Sequence, residues 1–130
     1  NNINVSDKKN KIDIVKEEVD KFESKSSEVV DFVDKLLKDA IKIGASDVHL
    51  EPYKKFARMR YRVDGVLADQ HSEEKLLFSR YSAITTRIKI MSELDIAERR
   101  LPQDGAITMQ LGDKEVDLRV SILPTTFGER

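Results

Sequence analysis

The sequence has 130 residues and a formal net charge of −1. That is enough chain for one domain with its own core, and too little net charge to steer it toward nucleic acid or an anionic lipid surface. Hydrophobic residues make up 39% and charged residues 36%, an ordinary composition for a domain with a wet surface, and no apolar run nears the roughly 20 residues of a membrane span. The absence of cysteine excludes disulfides and thiolate metal sites and fits a reducing compartment, and two histidines, His49 and His71, are a thin basis for a metal centre.

Residues 1–25 are polar and charge-rich, and no signal-peptide pattern opens them. Ile12, Val15, Val19 and Phe22 recur there at helical spacing, so the segment reads as a linker or a short amphipathic docking helix. Residues 26–130 read as the folded domain. A stronger helix is predicted from Ser27 to Ile43. Val29, Val33, Leu36, Ala40 and Ile43 form its apolar stripe, widened by Phe32 and Leu37. Ser26 or Ser27 suits the cap, Glu28 and Asp31 suit the positive N-terminal end, and Gly44 suits the position just past the last turn.

Two alternating segments follow, Asp47 to Glu51 and Phe56 to Val63, joined by Pro52-Tyr53-Lys54-Lys55 in a hairpin. Asp64-Gly65 is a turn signal, and Val66 to Ala68 a short returning strand. A second long helix is predicted from Glu74 to Ser92, with Leu77, Tyr81, Ile84, Ile88 and Met91 on its buried face. Asp95 to Gly105 is a loop punctuated by Pro102. Strands Ala106 to Leu111 and Glu115 to Ile122 close the pattern, with Gly112-Asp113 as the turn between them. The sum is an α+β fold, two long helices packed on a mainly antiparallel sheet. The chain stops at Gly128-Glu129-Arg130, soon after a strand, which predicts a piece of a longer protein.

Some chemistry is ruled out by what is missing. No G-x-x-x-x-G-K-(S/T) occurs, so no backbone nest with its lysine can cradle a triphosphate, and no G-x-S-x-G occurs either. Asp47, His49 and Glu51 share one face of a strand and could in principle bind a metal, although no further ligand is evident. A polar face with local salt bridges is the plainer reading. Arg58, Arg60 and Arg62 also share a face, and cations stacked at about 7 Å repel unless something negative faces them. Asp47, His49 and Glu51 on the neighbouring strand can serve, so cross-strand pairing and an anion-binding face both stay open. Glu98-Arg99-Arg100 is a charged run set directly before the rigid turn Leu101-Pro102-Gln103-Asp104-Gly105. Arg119 sits mid-strand beside Asp117. It reads either as a surface arginine paired with that aspartate or as one that reaches a nucleotide on a neighbouring module, a role suited to a permanently charged fork.

Four motifs then carry a family resemblance. Gly44-Ala45-Ser46-Asp47-Val48-His49-Leu50-Glu51-Pro52 resembles the signature G-A-S-D-(I/V)-H-(I/L)-E-P of the type II secretion and type IV pilus assembly ATPases. Arg60-Tyr61-Arg62-Val63-Asp64-Gly65-Val66-Leu67 is similar to the following R-x-R-x-D-G-x-L. Asp95-Ile96-Ala97-Glu98-Arg99-Arg100-Leu101-Pro102-Gln103-Asp104-Gly105 resembles D-I-A-E-(R/K)-R-x-P-Q-D-G. Val116-Asp117-Leu118-Arg119-Val120-Ser121, with Leu123-Pro124-Thr125 and Gly128-Glu129-Arg130, resembles V-D-(L/V)-R-V-S-x-x-P-x-x-x-G-E-(R/K). The motifs occur in order over about Ser27 to Arg130 and leave residues 1–25 uncovered. The third block favours the assembly and secretion branch over the retraction-type ATPases.

The resemblance implies a PAS-like domain ahead of a RecA-like ATPase domain that lies outside this chain. It implies a parent that works as a cytoplasmic homo-hexamer, peripheral to the bacterial inner membrane, using ATP and Mg2+ to move a membrane platform protein and pilin subunits. Arg119 falls on the family arginine that approaches the γ-phosphate, and so would be an arginine finger. Arg60, Arg62, Arg99 and Arg100 would support the fold or subunit contacts. The chain itself would hold no metal or cofactor, bind no nucleic acid and catalyse nothing alone. One departure is Ala106, where the family often has arginine after Q-D-G. A competing reading is a PAS-like sensor with a small ligand in its own core. The aliphatic inward faces argue against it, and a dry core would separate the two.

Overall fold

The computed structural model describes residues 5–71 and 73–124, with side chains described from residue 14 onward. Thr125 and Gly128-Glu129-Arg130 of the last motif, and the side chain of Ile12, lie outside the described residues. Helices α1 (Val5–Glu23), α2 (Ser27–Lys42), α3 (Glu74–Ser79) and α4 (Tyr81–Met91) accompany strands β1 (Asp47–Pro52), β2 (Ala57–Val63), β3 (Val66–Gln70), β4 (Gln103–Leu111) and β5 (Lys114–Ile122). The fold is α+β, as the pattern of elements predicts.

Local chemistry sets the ends of the elements. The Ser26 side chain caps α2 by accepting from the Val29 N–H. At the other end Gly44, at φ +82, donates to Ile41 O at 3.0 Å while Ala45 donates to Ala40 O at 2.9 Å. This reciprocal closure of a helix end needs a left-handed residue, which glycine supplies without a side-chain clash. Asp64 (φ 52) and Gly65 (φ 81) both take positive φ, the turn whose twist matches a two-residue hairpin between β2 and β3.

The strands form one sheet in the order β3-β2-β1-β5-β4. All neighbours are antiparallel except β1 and β5, which run parallel at the centre. That parallel step needs a crossover, and the chain segment holding α3 and α4 provides it. Both helical layers cover one face of the sheet. Val48, Leu50, Met59, Tyr61, Leu118, Val120 and Ile122 point into the core, where they meet Val29, Val33, Leu36 and Leu37 of α2 and Ile84 and Ile88 of α4. Each large aliphatic side chain so buried stabilises the fold by about 1.5–3 kcal/mol. The hydroxyls of Tyr61 and Tyr81 reach the backbone, Tyr61 at Leu36 O (2.9 Å) and Tyr81 at Leu123 O (2.9 Å).

One expectation is corrected. The helix predicted from Glu74 to Ser92 is two helices, bent at Arg80, which takes φ −121 and ψ 28. Its guanidinium is drawn to Glu23 (2.5 Å) and Glu28 (2.8 Å), partners far away in the sequence. Residues 5–23 form the helix α1, whose apolar stripe is open within this chain: Val15, Val19 and Phe22 are exposed, Phe22 by 76%. The helix instead lies on α4 through its charged side, where Asp20 pairs with Arg99 and Glu23 with Arg80. The receiving surface is polar, so the charged face is the complementary one. Boundaries also shift. β4 begins at Gln103, ahead of the predicted Ala106, and β3 extends to Gln70.

Candidate functional site

The face of the sheet away from the helices carries the arginines singled out by the sequence. Strand alternation puts Asp47, His49 and Glu51 of β1, Arg58, Arg60 and Arg62 of β2, and Arg119 of β5 on that side. The register then decides who meets whom. In the antiparallel β1–β2 ladder Glu51 faces Arg58, His49 faces Arg60 and Asp47 faces Arg62. In the parallel β1–β5 ladder Asp47 faces Arg119. Each buried carboxylate therefore lies between two arginines.

Glu51 accepts from Arg58 through Nε (3.0 Å) and Nη2 (2.8 Å), and from Arg60 Nη2 at 2.5 Å. Tyr53 completes this group. Its hydroxyl donates to Glu51 Oε1 at 2.9 Å, its ring stacks on Phe56 at 4.7 Å between centroids, and the Arg58 guanidinium lies 5.2 Å from its centroid. Arg60 Nε is buried with no hydrogen-bond partner among the described residues. Asp47 holds Arg119 in a two-pronged fork, Nε at 2.7 Å and Nη2 at 3.1 Å, with Arg62 Nε at 3.4 Å and a hydrogen bond from Ser46 Oγ at 2.9 Å. Paired forks of this kind combine charge with fixed geometry.

The electrostatics follow from these contacts. Partial burial alone would raise the Asp47 carboxyl, but the Ser46 hydrogen bond and the Arg119 fork outweigh it and hold it below the ordinary aspartate range. Burial also opposes ionisation of Glu51, and hydrogen bonds from Arg60, Arg58 and Tyr53 outweigh that too. Both carboxylates stay charged, and each is shared between two arginines of this face. Arg119 is the most open member. Its side chain is 72% exposed while that of Asp47 is 9% exposed, and Arg119 Nη1 makes no hydrogen bond among the described residues.

Several sequence-level alternatives now resolve. Cross-strand pairing of Arg58, Arg60 and Arg62 with Asp47 and Glu51 is present. Pairing of Arg119 with Asp117 is not: Asp117 accepts from Thr108 Oγ1 at 2.7 Å, and Arg119 turns to Asp47 instead. Ala106 lies directly opposite Arg119 in the β4–β5 ladder, so the small residue leaves that flank of the arginine uncrowded. No group of three histidine, aspartate or glutamate side chains converges on a metal position among the described residues, and the carboxylates of Asp47 and Glu51 are occupied by arginines. Arg99 and Arg100 are not part of this face. Arg99 pairs with Asp20 of α1, and Arg100 is an exposed neighbour of Glu98. Ser46 and Tyr53 belong to the site and were not singled out from the sequence; only the place of Ser46 in the first motif, and of Tyr53 just after it, hints at them. Buried polar residues away from this face, Ser24, Thr85, Thr86 and Lys89, do not enter the sheet–helix core, whose lining is aliphatic and aromatic.

Comparison with known proteins gives a consistent result. The family described as "Type II/IV secretion system protein" matches residues 23–130. The type IV pilus assembly ATPase PilB of Myxococcus xanthus is 46% identical over 132 residues, covering 97% of this chain and 23% of that protein. PilB of Pseudomonas aeruginosa is 49% identical over 109 residues, covering 83% of this chain and 19% of that protein. The type II secretion system protein E of Xanthomonas campestris pv. campestris is 48% identical over 101 residues, covering 78% and 17%. The chain thus spans about a fifth of the length of the curated relatives it matches. No helix of the described residues is long and apolar enough to cross a membrane.

Proposed function

The chain belongs to the Type II/IV secretion system protein family, and from that membership we propose that it is the domain preceding the nucleotide-hydrolysing core of an ATPase that drives type IV pilus assembly or type II protein secretion. In this reading the open sheet face packs against a RecA-like domain of the same or a neighbouring subunit of a homo-hexamer. The nucleotide, ATP with Mg2+, is held by that second domain. The assembly works from the cytoplasmic side of the inner membrane on a platform protein embedded there.

Arg119 is the residue that reaches across. The observation that carries the proposal is its placement: exposed, near the middle of the sheet, gripped on one side by a buried aspartate and with Nη1 unused. Asp47 keeps the guanidinium extended rather than mobile, so little side-chain entropy is lost when a phosphate oxygen arrives. Charge developing on the transferring phosphoryl group is then met by a pre-set cation. Arg60 and Arg62, fixed by Glu51 and Asp47, lie on the same face of the sheet. A PAS-like ligand sensor is the weaker reading, because the sheet–helix core is lined by aliphatic and aromatic side chains.

The test is made in the full-length parent. Arg119→Ala lowers ATP turnover on the order of 1,000-fold with the hexamer intact by light scattering. Near-normal turnover in that variant would remove the finger role.

A further inference from the structure

A second charged region lies on the helical side of the molecule, and no part of the proposed function uses it. Between α1, α4, the loop over residues 95–102 and the end of β5 is a cavity of about 200 Å³. Its polar lining includes Lys16, Lys89, Arg99 and Arg100, the carboxylates Asp20 and Glu98, and the hydroxyl residues Ser82, Thr85 and Thr86. Lys89, Arg99 and Arg100 thus share this lining with Asp20 and Glu98.

Those carboxylates are already engaged. Asp20 is paired with Arg99. Glu98 Oε2 accepts from the backbone N–H groups of Arg100 (2.7 Å) and Leu101 (3.2 Å), which shapes the loop. Lys89 is different. It is only 9% exposed, and its ammonium makes one hydrogen bond, to the neutral carbonyl of Glu98 at 3.0 Å. It has no carboxylate within ion-pair distance among the described residues. Burial and the neighbouring Arg99 depress its pKa, against smaller opposing pulls from Asp20, Asp95 and Glu98. A buried ammonium with two N–H groups unused is costly unless an anion meets it. The hydroxyls of Ser82 and Thr86 also make no hydrogen bond among the described residues, and both residues line the same space.

Donors of three kinds therefore line one hollow: a buried ammonium and two hydroxyls with donors unused, and the exposed guanidinium of Arg100, whose Nε lies 3.6 Å from Glu98 Oε2. The volume is below the roughly 300–1,000 Å³ typical of sites for drug-sized ligands, which restricts the occupant to something small. We propose that this cavity binds a small tetrahedral oxyanion of the phosphate class, with Lys89 at its floor and Arg100 at its mouth. Because α1 supplies Lys16 and Asp20 to the rim, an anion seated there also ties α1 to the domain.

The test is a titration of this chain with inorganic phosphate at constant ionic strength, followed by amide chemical shifts. Saturable shifts are expected at residues 82–89 and 98–101, with a dissociation constant on the order of 1 mM. Lys89→Met abolishes them, and Lys89→Arg retains part of the affinity. Should Lys89→Met misfold, Arg100→Ala serves instead. Its side chain is 87% exposed, so the fold is not at stake, and it weakens binding by about tenfold. A parallel titration with glycerol phosphate separates the sources. Comparable or tighter binding assigns a phosphate carried on an organic molecule, and binding of the inorganic ion alone assigns free phosphate. Linear, non-saturating shifts, or Lys89→Met and Arg100→Ala titrating like the unaltered chain, would overturn the proposal. None of these outcomes depends on Arg119 or on ATP turnover.

Discussion

The two charged regions of this molecule are built on different principles. On the sheet, ion pairs follow from strand register. Asp47 and Glu51 meet their arginines because the ladders place them opposite, and the result is two carboxylates held fully ionised. On the helical side, ion pairs come from docking. Asp20 meets Arg99 only because α1 lies down on α4, and burial raises its pKa despite that partner. The first arrangement stabilises the charged form of its carboxylates; the second works against it. A repeating backbone can present charges at fixed spacing with their hydrogen bonds satisfied, whereas a single docked helix buries its charge before every partner is in place.

The largest effect that probes this contrast is functional. Arg119→Ala in the parent removes the one arginine that is both open and pre-set, with the loss of turnover given above. Arg99→Ala, at the docked region, leaves turnover within about threefold, since Arg99 is turned away from the sheet face. Comparable losses in the two variants would mean that the regions do not divide function as proposed.

Stability comes next. Glu51→Gln removes the negative charge between Arg58 and Arg60 and sets an amide N–H against their donors, and costs about 2 kcal/mol by denaturant unfolding at pH 7. Asp20→Asn costs less than about 0.5 kcal/mol under the same conditions, because the neutral side chain escapes the burial penalty that Asp20 bears. Equal costs would erase the distinction between register-built and docking-built pairs.

The pH dependence has opposite signs in the two regions. Asp47 and Glu51 have folded pKa values below their unfolded ones. Their stabilisation is therefore present above about pH 4 and is lost as pH falls through the depressed values. Asp20 has a raised folded pKa, so its contribution favours folding at low pH and is lost as pH rises through that value. Unfolding curves of Glu51→Gln and the unaltered chain should converge on acidification below about pH 4. Those of Asp20→Asn should already lie close together at pH 5 and stay so. A Glu51→Gln deficit that persists undiminished at pH 3 would contradict the first half.

The smallest effect concerns α1 itself. Val19→Ser on its exposed stripe changes stability by less than about 0.5 kcal/mol, where a docked stripe would lose more than about 1 kcal/mol. A larger loss would show the apolar face, and not the charged one, holding the helix.

Much of this molecule was legible in the chain because its signals are local. The alternation of Arg58, Arg60 and Arg62 needs only a two-residue period, the stripe from Val29 to Ala40 only a helical one, and Gly44 and Asp64-Gly65 announce their turns by backbone freedom. The motif residues that carry the family are contiguous stretches, so the resemblance could be stated before any coordinate. The bend at Arg80 has no proline or glycine to announce it, and the partners of its guanidinium, Glu23 and Glu28, lie more than fifty residues away. The grip of Asp47 on Arg119 spans 72 residues and depends on one parallel ladder inside an otherwise antiparallel sheet.

The sequence by itself determined which segments are helical and which extended, which faces are apolar, which arginines share a strand face and which family the chain resembles. Each of these is written in residues within a turn or two of one another. Tertiary structure alone decided that Asp47 holds Arg119, that α1 docks by its charges and exposes Val15, Val19 and Phe22, and that Lys89 is buried beside a cavity with no carboxylate partner among the described residues. Those outcomes rest on which distant segments become neighbours. Periodicity fixes the direction in which a side chain points, but not the group that waits there.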